Sequence, residues 1–218
     1  MYGLATLKRA MAASLIGMVL ALGAGAVASA EEAEDVLTRD KVLRDPAIPA
    51  MGNPDGDITI VEWFDYQCPY CKKLAPELAK VIKEDGKVRL VMKEWPILGA
   101  PSGLASRLVV AARYQDKYEA SHHALMELKG RLTETTLREA LTRAGVDVAR
   151  AEADMLAHKD DIEALLKRNN AQAEAFGFNS TPSFIIGTFR VPGVLDAAMF
   201  KRAIADARAM AKQQPKAN

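Results

Sequence analysis

One stretch, "ITIVEWFDYQCPYCKK" (residues 58–73), constrains this chain more than any other. Its first half, ITIVEWF, is β-branched and aromatic, which predicts a buried strand over 58–64. That strand aims at Cys68 and Cys71, the only two cysteines in the chain. From Cys68 to Glu84 the period turns helical, with Leu74, Leu78, Val81 and Ile82 on one face. Pro69 suits a first helical turn, where its missing N–H costs nothing. Pro76 lies inside the helix and predicts a kink. A helix N-terminus offers free N–H groups and a positive dipole end, and so stabilises a thiolate. The expectation is therefore an exposed, acidic Cys68, with Cys71 one turn further in, buried and placed to resolve a mixed disulfide. Lys72 and Lys73 add positive charge nearby.

Two cysteines at this spacing have other uses. As a staple, the pair would close so short a loop that little chain entropy is removed. A closed zinc site wants four ligands, and the cysteines supply two. His122, His123 and His158 all fall in a helical region, and adjacent His122 and His123 point to different faces. No bound metal is expected, although Cu(I) on the thiolates of Cys68 and Cys71 stays open. No cofactor is expected beyond a redox-active Cys68–Cys71 disulfide. The chain shows no Gly-rich phosphate loop, and "GNPDGD" has no phosphate-binding context. Its serines and histidines form no recognisable triad motif.

The first thirty residues point to a compartment. Lys8 and Arg9 precede an apolar run of small residues that ends in Ala28-Ser29-Ala30, ahead of the acidic EEAED. This is the pattern of a secretory signal peptide cleaved near Ala30, and an uncleaved anchor is the competing reading. Cleavage turns the formal net charge from +1 to −1, which argues against nucleic acid as the main partner. The expected location is the periplasm, an oxidising compartment.

Further along, residues 31–45 read as a short helix before Pro46, its apolar face (Ala33, Val36, Leu37) interrupted by Asp40. The stretch PAIPAMGNPDGD reads as a linker and a turn. A second strand is predicted over 88–96, a loop over ILGAPSG, then helix after helix over 102–176. Thr133 with Thr136 and Glu139 marks one helix start, and Gly145 its stop. A strand over 183–193, with a hairpin near Gly187, precedes a final helix. Trp95 and Leu98 in EWPILGAP fit either a groove wall or core packing.

The motifs VEWFDYQCPYCKK and STPSFIIG resemble the DsbA-like branch of the thioredoxin superfamily, exported thiol–disulfide oxidoreductases. GNPDGDITIVEWFDYQCPYC and KEWPILGAPS are most similar to periplasmic ScsC-type proteins linked to copper tolerance. The likeness covers about residues 45–210. It implies an α/β thioredoxin fold with an inserted all-helical domain. The divisions would be a signal peptide (1–30), an N-terminal helix and linker (31–57), the first half of the core (58–100), the insert (101–176), the second half (177–212) and a tail (213–218).

The resemblance makes Cys68 the nucleophile and Cys71 the resolving thiol, with Pro69 and Tyr70 as the active-site dipeptide. It makes Pro182 a cis-proline facing the pair, with Thr181 offering backbone to a substrate strand. Glu62 matches a buried acid beneath the pair. Its apolar strand implies a raised pKa and a role as proton acceptor for Cys71, unless a buried lysine such as Lys93 neutralises it. Tyr70 stands where DsbA has histidine and offers the thiolate no cation, which implies a milder oxidant leaning to isomerase or reductase chemistry. Copper binding on the same thiols is the alternative function. Implied partners are cysteine-containing exported proteins, a membrane redox partner, and another copy of the chain through residues 31–45, short for a coiled coil alone.

Overall fold

The computed structural model describes residues 36–213. The signal peptide, the first five residues of the N-terminal segment and the tail beyond 213 lie outside the described residues. At the centre is a five-stranded sheet of β1 (Ala50–Gly52), β2 (Ile58–Phe64), β3 (Val88–Glu94), β4 (Ser183–Ile186) and β5 (Phe189–Pro192). The strand order is β1-β3-β2-β4-β5. Only the β2–β3 pair is parallel. All seven residues of β2 are buried, which is why ITIVEWF reads as a continuous apolar run rather than an alternating one.

Helix α1 (Arg39–Leu43) does not run on as one helix with the residues before it: Val36 is helical, but Leu37 and Thr38 interrupt the helix. It serves the core, because Val42 is buried in it. The Lys41 carbonyl accepts from Lys93 Nζ at 2.9 Å and from Gln172 Nε2 at 3.1 Å. Helix α2 (Pro69–Asp85) links β2 to β3 and continues through Pro76, burying Leu74, Leu78, Val81 and Ile82. It ends at Gly86, whose φ of 70° is open to glycine without strain.

The helical block comprises α3 (Ala100–Ala112), a 3-10 turn (Arg113–Gln115), α4 (Tyr118–Glu127), α5 (Glu134–Arg143), α6 (Val148–Ala157) and α7 (Lys159–Ala175). Thr133 and Thr136 form the expected capping box of α5. The block does not stand apart from the sheet. Trp63 Nε1 on β2 donates to the Asn169 carbonyl on α7 at 2.9 Å, and Asn169 Nδ2 donates to the Glu94 carbonyl at 3.1 Å. Helix α8 (Ala197–Gln213) completes the other face, where Phe200 meets Phe184 of β4 edge-on at 5.3 Å.

Further boundaries differ from the sequence reading, with β3 ending at Glu94 rather than at 96. Ala50–Gly52, read as linker, is an edge strand paired antiparallel to β3. Ala100 and Pro101, read as loop, open α3, with Pro101 in the first turn where a proline costs nothing. The turn after β1 is as expected: Asn53 Oδ1 accepts from the Asp55 N–H, and Gly56 N–H donates to the Asn53 carbonyl. The hairpin joining β4 to β5 turns at Gly187, as read.

Candidate redox site

Cys68 is the N-cap of α2, with extended backbone (φ −70°, ψ 116°). Its Sγ accepts the Cys71 N–H at 3.3 Å, as a polar N-cap side chain does. The same sulfur lies 3.3 Å from the Thr181 carbonyl, to which its S–H donates. Thr181–Pro182 is a cis peptide bond, so the residue and the isomer implied by the resemblance face Cys68. Both cysteines are free thiols.

One expectation needs correcting: Cys68 is not exposed. It is 3 % accessible against 1 % for Cys71, because its sulfur is turned inward onto Thr181 and the Cys71 N–H. Tyr70, between the cysteines, is the exposed member at 61 %.

The two thiols are driven apart in acidity. The hydrogen bond from the Cys71 thiol, helped by the Thr181 side chain and by backbone N–H groups of Cys71 and Tyr70, brings Cys68 down to about 6 against the opposing effect of burial. The same thiol–thiol bond, burial and the Glu62 charge push Cys71 far up. At neutral pH this favours one thiolate, on Cys68, and one proton, on Cys71.

Glu62 lies beneath the pair on β2 and is 3 % exposed. Burial, and secondarily the charge of Cys68, raise its carboxyl to about 8. Lys93 does not neutralise it. The β2–β3 register sets Glu62 against Met92 and Trp63 against Lys93, so Lys93 points to the other face of the sheet. There it donates to the Lys41 carbonyl and lies 4.0 Å from Asp45 Oδ2.

Lys72 is also used differently from the sequence reading. Its Nζ donates to the Leu125 and Leu128 carbonyls at 2.8 Å each, capping the C-terminal end of α4. Lys73 stays exposed.

The sequence reading missed two buried acids that shape the site. Asp65 Oδ1 accepts from Gln67 N–H at 2.7 Å and Ser102 Oγ at 2.6 Å, and Oδ2 from Leu98 N–H at 2.9 Å. It thereby ties the turn before Cys68 to the loop before α3. Asp two residues ahead of an N–H is an Asx-turn signal that was legible. Glu94 accepts from Tyr66 Oη at 2.9 Å, Ser106 Oγ at 2.7 Å and Tyr118 Oη at 3.3 Å. Burial nevertheless raises it to about 8. No local signal marks Glu94, because its partners come from three separate elements.

Trp95 and Leu98 divide the two roles left open. Trp95 is core and donates to Asn170 Oδ1 at 2.9 Å, while Leu98 is exposed at 45 % beside the Gln67 amide. The histidines are packing and surface groups. His122 is buried against Phe64 and Tyr66, His123 is 3.6 Å from Glu119, and His158 stacks on Tyr114 at 3.9 Å. Among the described residues, no cluster of three or more His, Cys, Asp or Glu side chains could hold a metal ion.

A thiolate-favouring cysteine at a helix N-terminus, facing a carbonyl next to a cis-proline, defines a thiol–disulfide oxidoreductase built on the thioredoxin fold. Comparison with known proteins agrees. The sequence profile of the thioredoxin family matches residues 45–206, and the chain belongs to that family. It is similar to a thioredoxin-like oxidoreductase from Silicibacter pomeroyi DSS-3, 41 % identical with a TM-score of 0.76, covering 79 % of this chain and 98 % of that one. The catalytic domain of Proteus mirabilis ScsC is 27 % identical with a TM-score of 0.70, covering 78 % and 94 %. A curated relative, Na(+)/H(+) antiporter NhaA 1 of Mycolicibacterium gilvum (strain PYR-GCK), is 27 % identical over 156 residues. That match takes in 70 % of this chain but only 25 % of the antiporter, so the chain spans about a quarter of that relative's length. Among the described residues, no helix is long and apolar enough to cross a membrane.

Proposed function

We propose that this protein exchanges disulfides with cysteine-containing exported proteins, with Cys68 as nucleophile and Cys71 as resolving thiol. The observation that carries the reading is the position of Cys68 Sγ, between the Cys71 N–H and the Thr181 carbonyl at the start of α2. In the oxidising direction, a substrate thiolate attacks Cys68 Sγ, the Cys68–Cys71 bond breaks, and Cys71 leaves with the electron pair and takes a proton. A second substrate thiolate then attacks the substrate sulfur of the mixed disulfide and releases the Cys68 thiolate. Two electrons pass from substrate to protein, which ends with one proton on Cys71 and a thiolate on Cys68; reduction runs the same steps backwards. Thr181 and Pro182 would hold the substrate segment as an added strand beside Cys68. Glu62, neutral below about pH 8, is the proton acceptor and donor for Cys71.

A Cys68 pKa of about 6 lies between the roughly 3.5 of DsbA and the roughly 7 of thioredoxin. This supports a milder oxidant than DsbA, on the isomerase or reductase side. The leader read in the first thirty residues supports activity in the periplasm, where a membrane partner would reset the pair. The test is trapping. A Cys71→Ser variant mixed with an oxidised, unfolded substrate protein should accumulate a mixed disulfide at Cys68 that reductant releases, and Cys68→Ser should trap nothing. Equal trapping by both variants would exclude the assigned roles.

A further inference from the structure

Beside the redox pair lies a groove of about 1230 Å³, walled by α2 on one side and by α4 with the loop over 128–133 on the other. It begins at Gln67 and Pro69, the residues flanking Cys68, and runs to Arg131 and Leu132. Its lining includes Lys72, Lys73, Lys129 and Arg131 against one carboxylate, Glu127. Lys72 is committed to the α4 carbonyls, which fixes the two walls relative to each other. Lys73, Lys129 and Arg131 are exposed, and among the described residues no carboxylate lies within ion-pair distance of any of them. Elsewhere on the helices, exposed lysines such as Lys83, Lys167 and Lys212 stand singly, while Arg138, Arg143, Arg150 and Arg202 each sit within 4.0 Å of an acid one turn away. The concentration of uncompensated charge in this groove also does not follow from the whole chain, whose formal charge is +1.

We infer that this groove selects substrates: it favours cysteine-containing segments flanked by acidic residues over neutral or basic ones. The inference rests on the exchange activity proposed above and names its substrate class. A segment whose cysteine reaches Cys68 Sγ extends on one side past Pro69 into the groove, where carboxylates meet Lys73, Lys129 and Arg131. The apolar floor of Ala75, Pro76 and Met126 lowers the local dielectric and strengthens that attraction relative to open water. Because the cations stand at the groove's outer edge, they act mainly on association rate and partner choice. The electron and proton balance of the exchange is unchanged.

The test uses the oxidised full-length mature protein and two reduced dithiol peptides of one sequence, their cysteines flanked by Glu in one and Lys in the other. Each oxidation rate is divided by that peptide's rate with neutral dithiodipyridine, which cancels differences in peptide thiol acidity. At roughly 0.01 M salt the normalised rate for the acidic peptide should exceed that for the basic one about tenfold. The ratio should collapse toward one near 0.5 M salt. Lys129→Glu with Arg131→Glu should invert the low-salt ratio. The same charge change at exposed Lys167 and Lys212 should preserve it. Since the readout is a ratio, general damage to the redox pair cancels. A ratio of one at low salt, or a ratio that survives the Lys129/Arg131 reversal, overturns the selection role while leaving exchange intact. Oxidation of neither peptide overturns the exchange activity itself, and the selection role with it.

Discussion

A carboxyl in a strand buried along its whole length is tolerated near neutrality because it holds a proton, and Glu62 is such a group. Its folded pKa of about 8 stands above the ordinary 4.5. Between these values the folded chain keeps a proton that the unfolded chain has released. Its stabilising contribution is therefore complete below about pH 4.5 and is lost as pH rises through 8. In the oxidised protein, where Cys68 does not titrate, Glu62→Gln should reduce the fall in urea stability between roughly pH 6.5 and 8. The same variant should remove an inflection near pH 8 from the resolving step; an unchanged profile in both would sink the relay. The sequence exposed part of this. The run IVEWF was enough to expect a raised pKa, but not to dismiss Lys93 as a partner. That depended on strand parity, Trp63 opposite Lys93, which is a matter of register between segments some thirty residues apart.

Helix α2 and helix α4 are joined through one side chain, the half-buried Lys72, with its two 2.8 Å bonds to α4 carbonyls. Charge-assisted bonds of this kind contribute roughly 1.5–3 kcal/mol. Lys72→Met should lower stability by about 2 kcal/mol. Amide exchange should rise in α4 and over 128–133 and stay unchanged in β2 and β3. Uniform loss of protection across the molecule would show instead that Lys72 is not a local clamp. Long, strongly periodic elements such as α2 and β2 were legible because their own residues carry the pattern. Edge strand β1 was not. Ala50, Met51 and Gly52 have weak strand preference, and they pair because Val91, Leu90 and Arg89 offer a free edge. Helix α1 is tied in place, since Val42 and the Lys41 carbonyl are committed to the core and to α7. An intermolecular contact through residues 31–45 would have to leave those groups in place.

At the scale of the whole molecule, the order of strand, helix, strand, helical block, hairpin and helix was readable, and with it the thioredoxin fold. The meeting of parts distant in sequence was not. Helix α7 covers one sheet face through Asn169, Glu94 collects partners from three elements, and Thr181 faces a cysteine 113 residues earlier. The last of these came from resemblance, because nothing local in Ser-Thr-Pro says what it will face. The thiol–thiol bond, with the groups around it, leaves Cys68 favoured as thiolate and Cys71 as thiol, the condition for passing electrons rather than stapling a loop. The most direct check is the reduction potential of the Cys68–Cys71 pair, measured by equilibrating the protein with glutathione buffers at neutral pH. It should lie between the roughly −120 mV of DsbA and the roughly −270 mV of thioredoxin. A value below about −300 mV, where structural disulfides lie, would contradict it.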